Sequence, residues 1–203
     1  MYLGVYIDAH LNFDRQVQHV CDNVNKKLAA FRHGRRNLTT AARRIFYISI
    51  IRSTLEYASN AYYHSLSSTL RDRLVTTSQI AMRKVFGLSW FTATDFMLRK
   101  FSLHSLDARV NLKLYVFTFR CLNARASPLL TAMFHLRSAS SRTSATTRGQ
   151  TSNSLCLPRR HSRIGFHSVS FLAAVRWNAL PLDCRVCANA ADFLRLIKLF
   201  LFS

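Results

Sequence analysis

Acid is what this sequence has least of. Only 9 Asp plus Glu stand against 29 Lys plus Arg, for a formal net charge of +20 over 203 residues. No Asp-Asp or Asp-x-Asp pair occurs, and no acidic pair shares a helical face. Two-metal phosphoryl transfer needs clustered carboxylates, so the chain alone is not expected to perform it. The 5 glycines are isolated, which excludes a Gly-rich phosphate loop. No nucleophile elbow or Cys-His spacing stands out. No stretch reaches the ~20 apolar residues that cross a bilayer. Tyr2–Ile7 is stopped by Asp8, too soon for the core of a secretion signal. The five cysteines, at 21, 121, 156, 184 and 187, are odd in number and irregular in spacing. That pattern fits reduced thiols inside a cell, in nucleus or cytoplasm, and not a secreted disulfide framework. No fixed-period repeat is evident.

What is present points the other way. Hydrophobic residues make up 49% of the chain, enough for a core of ordinary size and too many for a disordered chain. The cationic excess attracts polyanions. Nucleic acid ranks first as partner and an anionic membrane surface second. Arginine outnumbers lysine, and its planar fork suits phosphates and bases. No acid lies between Asp107 and Asp183, an interval holding eleven Lys or Arg residues. A generic basic protein of ribosomal type shares this composition.

Periodicity predicts a mainly α-helical chain. Tyr2–Ile7 reads as a strand, an orphan with no neighbour to pair its backbone. Asn12 is placed to cap a helix whose apolar positions are Phe13, Val17, Val20, Val24, Leu28 and Phe31. Thr39 or Thr40 opens a second helix to about Tyr63, with Ile45, Ile48, Ile51, Leu55 and Tyr62 on its face. Helices follow near 69–86, stopped by Gly87, and near 95–100. Another spans 106–123, with Val110, Leu114, Phe117 and Cys121 on one face, and Pro128 opens a brief one. Residues 137–154 are rich in Ser, Thr and Arg and read as a basic linker suited to backbone phosphates. Short extended pieces at 155–158 and 164–169 precede helices near 171–180 and 191–202. The parts are 1–10, a strand; 11–136, a helical bundle; 137–154, a linker; and 155–203, a short extended and helical annex.

Candidate chemistry is sparse. Asp8 is placed like a catalytic carboxylate, but alone it reads as a turn or cap residue. Cys184-x-x-Cys187 has metal-ligand spacing, with Cys156 and His161 or His167 to complete four ligands. An amphipathic helix separates the pairs, so these read as ordinary thiols, and no metal is assigned. Basic clusters recur at Lys26-Lys27, Arg32 to Arg36, Arg43-Arg44 and Arg159-Arg160. With Phe31, Phe46 and Tyr47 nearby, they suggest a groove that binds backbone and stacks a base.

The order of segments resembles the region after the palm in reverse transcriptases of non-LTR, LINE-type retrotransposons. The residues carrying it begin with Tyr2-Leu3-Gly4-Val5-x-Ile7-Asp8 and Leu11-x-Phe13. Tyr47–Tyr57, Gln79–Leu88 and Leu103–Cys121, with Ser105-Leu106-x-x-Arg109, follow in order. Thr147-Arg148, Leu157-Pro158, Phe171 and Arg176-Trp177-Asn178-x-Leu180-Pro181 echo the family's closing region. The likeness implies a primer-grip strand followed by a helical thumb, with fingers, palm and catalytic acids expected ahead of residue 1. It also implies RNA-directed DNA polymerisation for the parent protein alone, with Mg²⁺ in its palm and no cofactor here. On this reading the chain is a non-catalytic grip on template-primer, inactive by itself, and its partners are nucleic acid and the palm and fingers, not a membrane. Lys26, Lys27, Arg32, Arg35, Arg36, Arg43, Arg44, Arg148, Arg159 and Arg160 are assigned to phosphates by their clustering. An independent RNA- or DNA-binding protein, or the translated remnant of a dead element, are the alternatives. The independent protein requires a self-sufficient fold without an orphan strand.

Overall fold

A computed structural model describes residues 1–34, 37–123, 125–137, 153–159, 165 and 168–202. The fold is mainly helical, with no strand among the described residues. It divides into two compact units, Met1–Val110 and Asn111–Ser203.

The first unit opens on a tight turn, not the strand predicted for Tyr2–Ile7. Tyr2 and Val5 exchange backbone hydrogen bonds of 2.8 and 2.9 Å. Leu3 and Gly4 between them sit at φ 44° and 77°, the left-handed pair that hairpin turns of the primed type require. The physical reason is local satisfaction: an unpaired strand leaves its amides and carbonyls unmet, whereas this turn bonds them to each other. The Tyr57 hydroxyl donates to the Leu3 carbonyl at 2.9 Å and holds the turn down. Tyr6 then gives its N–H to the buried Gln16 side chain at 2.9 Å.

Helix α1, Asp14–Gly34, buries Val17, Val20, Val24, Leu28 and Phe31 as its spacing predicts, and Cys21 beside them. It packs chiefly on α5, Ser68–Phe86. Asp8, not Asn12, serves its entry. One carboxylate oxygen accepts the His10 and Asn12 amides, each at 3.0 Å, and the other accepts the Phe13 amide at 2.7 Å.

The second predicted helix is divided. Helix α2, Thr40–Phe46, runs into a π-helical stretch at Tyr47–Arg52 and then α3, Ser53–Glu56. Ala58, at φ 49°, breaks the line before α4, Ser59–Tyr62, and a 3₁₀ turn at Tyr63–Ser65. The stretch Ile48-Ser49-Ile50-Ile51 is poor in helix formers, being β-branched or hydroxylated. Ser49, Ser53 and Thr54 bond back to carbonyls one turn earlier, a contact that loosens a helix. Tyr47, Ile51 and Leu55 are buried, while Ile45 is exposed.

Helix α5 is bounded as its sequence dictates. Ser67 accepts the Leu70 amide at 3.3 Å, and Gly87 takes the left-handed position at φ 71°. Helix α6, Thr94–Lys100, closes on Phe101, whose ring stacks on Phe86 at 3.6 Å. Helix α7, Leu106–Leu122, gives Leu106 and Val110 to this core.

The second unit starts within α7, at Asn111. Leu112, Leu114, Tyr115, Phe119 and Cys121 belong with Trp177, Phe193 and Ile197 in one core. The helices around them are α8 at Pro128–Thr131, α9 at Val169–Asn178, α10 at Leu182–Arg185 and α11 at Ala190–Phe202. The extended piece expected at 155–158 reduces to one bridge, Leu136 to Leu155. Asn178 clamps it, accepting the Leu155 amide at 2.7 Å and donating to its carbonyl at 2.9 Å. Trp177 donates its ring N–H to the Asn153 carbonyl at 3.0 Å. Most of the 137–154 linker lies outside the described residues. No helix among the described residues is long and apolar enough to cross a membrane.

Candidate nucleic-acid interface

The predicted phosphate contacts separate into two kinds. Lys26, Arg32 and Arg159 are exposed on the surface. Lys27 is exposed too, but its Nζ donates to Thr54 Oγ1 at 2.5 Å and ties α1 to α3. Arg43 and Arg44 are half-buried and face protein carbonyls. Arg43 Nη1 meets the Phe86 carbonyl at 3.5 Å, at the end of α5. Arg44 donates to the Phe101 carbonyl at 2.8 Å and the Ser102 carbonyl at 3.2 Å, just past α6. Helix carboxy-termini carry partial negative charge, so two cations on one helix neutralise the ends of two others. Arg35, Arg36, Arg148 and Arg160 lie outside the described residues.

The aromatic half of the expected groove is core. Phe31 stacks on Phe46 at 3.9 Å, and Phe31 and Tyr47 are buried. Tyr47 shares a hydrogen bond with Ser78 at 3.1 Å, and burial pushes its hydroxyl pKa up. Phe31 and Tyr47 offer no face to a base, and half-buried Phe46 spends one face on Phe31.

Asp8, Asp107 and Glu56 have structural roles. The three backbone amides hold Asp8 below the usual carboxylate range, those of Asn12 and Phe13 foremost. Asp107 accepts the Tyr63 hydroxyl at 2.7 Å. Burial first, and then this carboxylate, push the Tyr63 pKa up. Glu56, nearly buried, faces Arg109 at 3.1 and 3.4 Å and Arg52 at 3.5 Å. Composition did not reveal this triad. The spacing of Arg52 and Glu56 along one helical stretch was its only sequence signal.

No group of His, Cys, Asp and Glu among the described residues has the make-up to hold a metal ion. Cys184 is buried, and Cys187 donates to the Asp183 carbonyl at 3.1 Å. Burial pushes both thiols up. Cys156 is exposed; His161 and His167 lie outside the described residues.

No protein-family profile, curated protein or solved structure matches this chain.

Sequence reading missed a second basic surface in the first unit. Trp90 and Phe91, in the turn after α5, are 63% and 92% exposed, and Phe96 is 50% exposed. The Arg83 guanidinium lies over the Trp90 ring at 5.5 Å, and Lys100 over Phe96 at 5.2 Å. The signal was two adjacent aromatics just beyond a Gly stop, where helical periodicity no longer assigns them a core face.

Proposed function

We propose that this chain is a non-catalytic grip on nucleic acid, the thumb and post-thumb portion of a non-LTR retrotransposon RNA-directed DNA polymerase acting inside the cell. The observation carrying this reading is the charge balance: 29 Lys plus Arg stand against 9 Asp plus Glu, and Lys26 and Arg32 in the first unit and Arg159 in the second are exposed. A surface of this kind contacts phosphates without reading sequence. The mainly helical fold suits a thumb, and the ordered resemblance supplies the family. The template-primer is its ligand, and a palm with fingers its protein partner.

One observation favours an independent nucleic-acid-binding protein instead. The Tyr2–Val5 turn closes on itself and on Tyr57, leaving no open strand for a palm to pair. The two readings share the ligand and differ in the partner. Filter binding of labelled duplex and single strands across a salt series tests the shared part. Log affinity should fall linearly with log salt, with a slope of about −0.9 per neutralised duplex phosphate and about −0.7 on single strands. A flat salt dependence, or no binding at low salt, would refute it.

A further inference from the structure

The α5–α6 turn exposes rings that the core does not use. Three large aromatics, Trp90, Phe91 and Phe96, are exposed within seven consecutive residues. Burying such rings would favour folding, so their collective exposure marks a binding surface. The turn is held in shape. Gly87 reverses the chain with its N–H on the Arg83 carbonyl. Thr92 N–H bonds the Ser89 carbonyl at 3.1 Å, and Arg83 Nη2 donates to the Thr92 carbonyl at 3.0 Å. Beside it opens a cleft of about 330 Å³ lined by Ile80, Arg83, Lys84, Gly87, Leu88 and Trp90. That volume lies in the small-molecule range, from about 300 Å³ upward. The buried Arg83 Nε has no hydrogen-bond acceptor among the described residues.

We infer that this surface is a platform for unpaired nucleic acid: a base stacks on Trp90 or Phe91, and Arg83 and Lys84 take the adjoining phosphate. The chemistry is complementary on both counts. Between Asp72 and Asp107 the only acid is Asp95, against Arg73, Arg83, Lys84, Arg99 and Lys100. Cation also sits against ring, Arg83 over Trp90 and Lys100 over Phe96. A nucleotide likewise presents a phosphate beside a base. The inference rests on the nucleic-acid reading above and adds the strandedness of the ligand.

The test compares wild type, Trp90→Ala, Phe91→Ala and Trp90→Phe. The probes are a labelled oligothymidylate, a duplex of equal length, and phosphatidylserine–phosphatidylcholine vesicles. At least one of the two alanine variants should lose about 5- to 150-fold in single-strand affinity, the worth of one stacked base. Trp90→Phe should retain most of the affinity, and duplex binding should hold within about twofold in all. Both side chains are exposed, so unchanged helicity and melting should accompany these losses. If wild type binds both nucleic acids and the alanine variants bind the single strand equally well, this inference alone fails. If wild type binds neither at low salt, the nucleic-acid reading fails with it. If the substitutions abolish vesicle binding and spare the oligonucleotide, the surface is a membrane contact and the inference is overturned.

Discussion

Glu56 is the only glutamate in the chain, and it is almost wholly shielded from solvent between Arg52 and Arg109. A buried ion cluster stabilises only while it is complete. Glu56→Gln strands two cations and should cost about 3–5 kcal/mol, a fall in Tm of about 10 °C or more. The triple change Arg52→Met, Glu56→Leu and Arg109→Met puts apolar side chains of similar volume in place of the whole cluster. It is expected to leave stability about unchanged, within roughly 1–2 kcal/mol. Chemical denaturation of both variants checks the contrast. Asp8 supplies a pH test. Its folded pKa is depressed by backbone donors, so its contribution is present above the ordinary carboxylate value of about 3.9. That contribution disappears as pH falls through the lower folded value. Asp8→Asn should melt below wild type at neutral pH, and the gap should close under acid conditions. A gap that widens on acidification would contradict this role.

At the scale of elements, Arg43 and Arg44 matter for what they cap. Arg44→Ala removes two charged donors from the carbonyls after α6. It should cost about 1–2 kcal/mol, given the partial exposure of the side chain. Thermal melting should register this, with faster amide exchange confined to α6 and its following turn. The helices most readable in sequence are those that local rules bound. Helix α5 starts at Ser67 and stops at Gly87, and α1 keeps a strict valine and leucine stripe. Residues 45–63 defeat a 3.6-residue reading because the π stretch changes the period. The first residues mislead for another reason: β-branched and aromatic composition signals a strand, but nothing there pairs with it. Contacts such as Arg109 with Glu56 join residues 53 positions apart, and no local pattern encodes them. Clustering of basic residues likewise cannot separate Arg44, which faces carbonyls, from Arg32, which faces water.

At the scale of the whole molecule, the two kinds of cation should behave differently when neutralised. Lys26→Gln, Arg32→Gln and Arg159→Gln remove exposed charges. Each one that meets a duplex phosphate should flatten the salt slope by about 0.9 while leaving melting unchanged. Arg43→Gln with Arg44→Gln should lower melting first, because these side chains face helix ends. The unfused chain should extend no primer with any template or divalent metal, since no metal-holding carboxylate group exists among the described residues. Fusing the fingers and palm of a LINE-type polymerase ahead of Tyr2 decides between the two proposed readings. Under the thumb reading the fusion extends primers, and neutralising Lys26 and Arg32 shortens products more than it slows a single addition. The grip holds the duplex between additions, whereas the palm forms the bond. An independent binding protein would leave such a fusion inert, and extension by the unfused chain would refute both readings.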